Sequence, residues 1–199
     1  MTDNELKYQF APARLKDLDA LTGDLLVVSM FEEDRPPQGL AGLVDWRMDG
    51  LISRLRLKAV SPALPNPHFH GLVMRPFAAR ELEKLLFPPG RKLPFSAVLV
   101  LGLGARTRYD ANRYRAAVKE IISSLSLMRT RSVTLELPAW ERCALPARRA
   151  CDAFAADWFA MRGQGIPVPS EVCFIEKLEH QAEMDERIVE IARSQPRRR

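Results

Sequence analysis

AVLVLGL at 97–103, DANRYRAAVKEIISSLSLM at 110–128 and VTLEL at 133–137 decide how this chain folds. The first is a continuous apolar run, as a strand buried on both faces requires. Asp110 is a residue type that caps helices. Behind it, Tyr114, Val118, Ile121, Ile122, Leu125 and Met128 fall at offsets of 0, 4, 7, 8, 11 and 14. That spacing is one face of a long amphipathic helix. Val133–Leu137 then returns as a strand, so strand, helix and strand alternate, which points to a layered α/β fold.

The flanks extend the pattern. Leu25–Met30 (LLVVSM) is a second buried strand, and Lys7–Phe10 is an edge strand. Residues 40–57 read as a helix with Leu40, Leu43, Val44, Leu51, Ile52 and Leu55 on its apolar side, weakened at Gly50. Pro62, Pro65, Pro67 and Pro76 keep 58–80 irregular. Leu85–Phe87 is a short strand closed by Pro88-Pro89-Gly90. Pro146 suits the first turn of a helix bearing Cys151, Phe154, Ala155, Trp158 and Phe159. After a loop at 163–169, Glu171–Ile175 (EVCFI) is the last strand. A final helix runs from Glu179 to Arg193, with Met184, Ile188 and Ile191 inward and Pro196 stopping it. These elements predict an α/β fold of three layers, with helices on both faces of a mixed, mainly parallel sheet. The expected organisation is a single domain over 1–195 and a basic tail at 196–199.

Composition narrows the function classes. Of 199 residues, 47% are hydrophobic and 28% charged, an ordinary globular balance. No apolar run approaches about 18 residues, so no membrane span is expected. The opening MTDNELKYQF is polar and acidic, unlike an export signal. Three cysteines, Cys143, Cys151 and Cys173, form no Cys-x-x-Cys pair. Together these predict a cytoplasmic protein with buried thiols. The net charge is +5, but Arg193–Arg199 holds four Arg and no acid, leaving +1 for the rest. Nucleic acid is therefore not an expected partner, apart from the tail.

Few residues point to chemistry. Gly102 and Gly104 follow a strand, but Thr107 stands where a dinucleotide loop needs its third glycine, so a plain strand-to-helix turn is the reading. Arg106 and Arg108 in that turn are candidates to meet an anion. His68 and His70 share a side if extended, but lack a third ligand nearby, and His180 is distant in sequence. No metal and no cofactor are expected. His-Glu-x-x-His and Gly-x-Ser-x-Gly are absent, and Cys143 has no evident His and Asn partners. Glu32, Glu33 and Asp34 follow a buried strand, where a polar loop tip or a grip on a cationic group is expected. Trp46, Trp140 and Trp158 are read as core or interface.

Several stretches together resemble the amino-terminal domain of leucyl aminopeptidases. They are GDLLVVSMFEED at 23–34, GLAGLVDWRMDGLISRL at 39–55, LPFSAVLVLGLGAR at 93–106, the helix from Asp110 to Met128, SVTLELP and EVCFIEKL. The resemblance rests on pattern and order over most of 20–192. It implies a macro-domain-like fold, a mixed sheet between helices. The family's catalytic segment, an Asn-Thr-Asp-Ala-Glu-Gly-Arg-Leu run, is absent, so the resemblance implies no peptidase activity in this chain. Macro domains often bind ADP-ribose, and their first strand commonly ends in Asn-Ala-Ala-Asn after an Asp. Asp24 matches that Asp, but the four positions read Val28, Ser29, Met30 and Phe31. Gly39 and Gly42 supply fewer glycines than the first phosphate loop wants, and 139–146 is glycine-free. Backbone N–H groups approach a pyrophosphate closely only where side chains are absent, so Trp140 and Glu141 are expected to obstruct it.

The reading that follows is a stand-alone, non-catalytic macro-like domain acting through a protein partner or as a homo-oligomer. Trp46, Trp140 or the Pro-rich 61–77 segment would form the contact surface. One alternative is an ADP-ribose or nucleotide-binding module using Asp24, Arg35, Gly39 and Gly42. The other is an aminopeptidase-associated subunit that needs a catalytic partner.

Overall fold

A computed structural model describes residues 6–57 and 77–194. His68, His70, most of the Pro-rich segment and the 196–199 tail lie outside the described residues.

The strands are β1 (Lys7–Ala11), β2 (Gly23–Met30), β3 (Lys84–Phe87), β4 (Phe95–Gly102), β5 (Ser132–Leu135) and β6 (Glu171–Ile175). They form one sheet in the order β1-β6-β5-β2-β4-β3. Only β3 runs antiparallel, against β4, and the other neighbours pair in parallel. The helices are α1 (Leu15–Ala20), α2 (Gly39–Arg47), α3 (Leu51–Leu57), α4 (Ala111–Leu127), α5 (Ala147–Gly163) and α6 (Leu178–Ser194). Two 3-10 turns, Arg106–Arg108 and Trp140–Cys143, follow β4 and β5.

The strand period of two explains the layers. Leu25 and Val27 of β2 join the cluster built with Tyr114, Ile121, Phe154 and Trp158 of α4 and α5. Leu26, Val28 and Met30 face the opposite cluster, with Leu18, Leu40, Val44 and Ile52 of α1, α2 and α3. The three-layer α/β/α arrangement with its mixed, mainly parallel sheet is thus the one expected.

Local chemistry sets the element ends. The Asp110 carboxylate accepts from the backbone N–H of Asn112 at 3.0 Å and Arg113 at 2.9 Å, capping α4. The predicted 40–57 helix is two helices. Asp49 and Gly50 take positive φ, 53° and 73°, which stops α2. Asp45 then caps α3 through the Ser53 N–H at 3.0 Å and hydroxyl at 2.5 Å. Helix α1 was not expected, because six residues with one buried leucine carry too short a period to read. Strand β5 stops at Leu135, two residues early, although Leu137 is still buried.

Gly102 serves packing. A Cβ there would lie 2.2 Å from the Arg80 carbonyl oxygen. Gly104 has φ +74° and donates its N–H to the Ala79 carbonyl at 3.0 Å. Both glycines let the 79–81 backbone cross the end of β4, as a plain turn requires. Among the described residues no helix is long and apolar enough to cross a membrane.

Candidate functional site

The parallel strands β2, β4, β5 and β6 end on one rim. The chain leaves β2 toward β4, returns to β5 on the other side of β2, and continues outward to β6. Connections therefore diverge between β2 and β5, the place where an open α/β sheet forms its crevice. The loop 31–38 borders it on one side and 136–146 on the other.

Loop 31–38 is tied down from within. Arg56 of α3, itself buried, donates to the carbonyls of Asp34, Glu32 and Ala78. Asp34 is 6% exposed, accepts the Phe31 N–H at 2.8 Å and pairs with the Arg106 guanidinium. The Glu33 carboxylate accepts the Arg106 backbone N–H, and that bond lowers its pKa. The cationic group met by the acidic run is thus the chain's own Arg106, which is not left free for an anion.

Phe31 fills the end of β2 and is 4% exposed. Tyr109 packs edge-on to it at 5.1 Å. The Arg106 guanidinium lies 4.7 Å from the ring centroid, and that of Arg142, from the opposite loop, 5.6 Å. Guanidinium–ring attraction therefore bridges the crevice. The Tyr109 hydroxyl donates to the Pro138 carbonyl at 2.6 Å, a second tie between its sides.

The predicted site residues divide. Asp24 sits near the start of β2, at the opposite end of the strand from the rim. About 3.3 Å per residue separates it by roughly 20 Å from the other three. Its carboxylate accepts the N–H groups of Arg131 and Ser132, and it shares no site with Arg35, Gly39 and Gly42. Arg35 is exposed at the rim. Gly39 opens α2 with φ +56° and open space where a Cβ would be, whereas a Cβ on Gly42 would lie 2.7 Å from the Pro37 carbonyl. Gly42 lets α2 close on its own loop.

Trp140 was read as core or contact surface, and the structure makes it core. It is 6% exposed, donates its indole N–H to Glu176 at 2.9 Å and leans edge-on against the His180 ring. Its burial leaves no exposed indole there to form a contact surface. Trp46 is 68% exposed. Ala139 and Ala144, which flank Trp140–Cys143, hold φ of 48° and 51°. The loop keeps glycine-like turns without glycines, at a cost in strain.

A second group was invisible in sequence. Glu176 follows β6, Glu141 lies in the 3-10 turn and His180 in the first turn of α6. One donor atom from each lies within 4.8 Å of the others. No metal was expected, and spacings of 35 and 4 residues hide the convergence. Half-buried Glu136, just past β5, neighbours Glu176. Desolvation, then the charge of Glu176, pushes its pKa to about 7, although the Ser29 hydrogen bonds oppose the rise. The cysteines are free, and burial raises the thiol pKa at all three, for Cys151 to about 12.

Two further grooves are present among the described residues. One of about 720 Å³ runs between α4 and α5, lined by Arg115, Lys119, Asp152 and Asp157. Another of about 210 Å³ lies along β1, β6 and β5 beside Gln9, Thr134 and Cys173.

The fold is a macrodomain-like α/β/α fold, and part of the chain is similar to the domain that begins cytosol aminopeptidases. Residues 72–157 match the sequence model of the cytosol aminopeptidase family, N-terminal domain. A mutant tomato leucine aminopeptidase superposes with TM-score 0.62 at 11% identity, over 94% of this chain and 35% of that one. The chain thus spans about a third of that enzyme. An Oceanobacillus iheyensis macrodomain mutant gives TM-score 0.63 at 9% identity, over 98% of this chain and 97% of that one. A Trypanosoma brucei macrodomain in complex with ADP-ribose gives 0.59 at 17%, over 92% and 68%. No curated protein matches the sequence.

Proposed function

We propose that this chain is a non-catalytic macro-like domain that acts through protein contacts, self-association among them. The observation that carries the reading is the bridged crevice. Phe31 occupies the end of β2, and the guanidinium groups of Arg106, from the turn after β4, and Arg142, from loop 136–146, lie against its ring. A diphosphate would have to displace these groups, and that costs more than an open glycine cradle would. The exposed indole of Trp46 on α2 is the aromatic anchor that contact surfaces favour.

Sedimentation equilibrium on the full chain, with affinity capture from its source cells, tests the reading. Self-association or a stoichiometric partner is expected, weakened about tenfold or more by Trp46→Ala at unchanged melting temperature. A strict monomer that captures nothing overturns it.

A nucleotide-binding module is the second reading, favoured by Arg35 and Arg142 exposed at the rim and by the open space at Gly39. Calorimetry with ADP-ribose decides between them, because micromolar affinity rejects the first. Partnership with a catalytic aminopeptidase chain is a third, supported by the family match over 72–157. It requires that the chain alone leave leucine-para-nitroanilide unhydrolysed.

A further inference from the structure

We infer that Glu141, Glu176 and His180 form a binding site for a divalent transition-metal ion such as zinc. One imidazole nitrogen and two carboxylate oxygens, from three separate elements, come within 4.8 Å of one another. A zinc ion takes such donors at about 2.0–2.2 Å, so closing on one requires only small side-chain movements. Three protein ligands leave a fourth position for water or for a donor from a bound partner.

The supporting shell is already built. The Trp140 indole N–H at 2.9 Å and the Lys177 backbone N–H at 2.8 Å hold the two oxygens of Glu176. Edge-on packing against Trp140, with ring centroids 5.0 Å apart, orients the His180 imidazole. Metal sites use such outer partners to aim their ligands. The surrounding charge is also suitable. Glu136 neighbours Glu176, and Glu179 reaches within 3.4 Å of the His180 ring.

Lys177 is the competitor. Its ammonium contacts both oxygens of Glu141, at 2.6 and 2.8 Å, and so supplies positive charge that a metal ion would otherwise bring. His180 Nε2 lies 3.1 Å from the same carboxylate and must be unprotonated to ligate. The ion displaces the ammonium, and no covalent step is involved.

Zinc titrated into the full chain against a chromophoric chelator is the test, with histidine NMR as a second readout. About one ion per chain is expected, at micromolar affinity or better, with selective shifts of the His180 ring signals. His180→Ala and the exposed Glu141→Gln each weaken binding about tenfold or more, and Lys177→Met tightens it. Melting of the metal-free variants checks that each one folds, and Glu141→Gln alters only a partly exposed side chain. Binding only at millimolar zinc overturns the proposal. So does binding that both ligand substitutions leave unchanged, which would put the ion elsewhere, for example at His68 and His70. Weakened binding in Lys177→Met counts against it too.

Discussion

The two sides of the strand-end rim solve the same electrostatic problem differently. Beyond β2, charge is neutralised and sealed, with Asp34 buried against Arg106 and Phe31 beneath two guanidinium groups. Beyond β5 and β6, carboxylates gather around one imidazole and one ammonium, and Glu141 stays 44% exposed. The first arrangement closes a crevice, and the second keeps ligand-type atoms reachable. A pair that loses little water costs little to rearrange, whereas a buried pair is expensive to break. The sealed side therefore supports the fold, and the open side is where exchange of one cation for another is affordable.

The largest expected effect tests the seal. Phe31→Ala removes a buried ring and its contacts with Tyr109, Arg106 and Arg142, and lowers stability by about 3–4 kcal/mol. Urea unfolding measures this, and a loss within about 0.5 kcal/mol would mean that the ring is not what closes the crevice.

Asp34→Asn comes next. It leaves Arg106 without its counter-charge while an oxygen can still accept the Phe31 N–H. Arg106 remains about a third exposed, so the expected cost is about 2 kcal/mol, less than for a fully buried pair. Wild-type stability in this variant would place the two sides of the rim on equal terms.

The third sharpens the contrast from the other side. Glu136 titrates near 7 in the folded chain, against 4.5 ordinarily. Its raised pKa means that the fold favours the protonated acid, so stability falls as pH rises from about 4.5 to 7 and levels off above. Desolvation is the main cause, the charge of Glu176 adds to the rise, and the Ser29 hydrogen bonds oppose it. In full the shift corresponds to about 3 kcal/mol, which water at the half-buried carboxylate reduces to about 1–2 kcal/mol; the fall should disappear in Glu136→Gln, as thermal melts across that range would register. An unchanged slope would remove Glu136 from the open side's charge balance.

Much of the fold was readable because its signals are local. The apolar run of β4, the helical stripe of α4 and the Asp110 cap each sit within a few residues and appear as expected, except that Met128 falls just past α4 and is 37% exposed. Misreadings arose where a few residues decide: the Asp49-Gly50 break and the six residues of α1. The rim was less legible. Phe31 at the end of β2 was singled out by the resemblance to macro domains, but Asp24, taken for the same site, belongs to the far end of its strand. His180 looked isolated because its neighbours Glu141 and Glu176 come from other elements.

By itself, then, the order of residues determined the alternation of strands and helices, the buried face of each and the layered class, because periodicity and capping act over one or two turns of chain. Tertiary structure alone decided what meets at the strand ends: Arg106 with Asp34, Arg142 over Phe31, and Glu141 and Glu176 with His180. Those encounters join residues from 4 to 111 positions apart, and parallel pairing of the strands is what delivers their ends to a common rim.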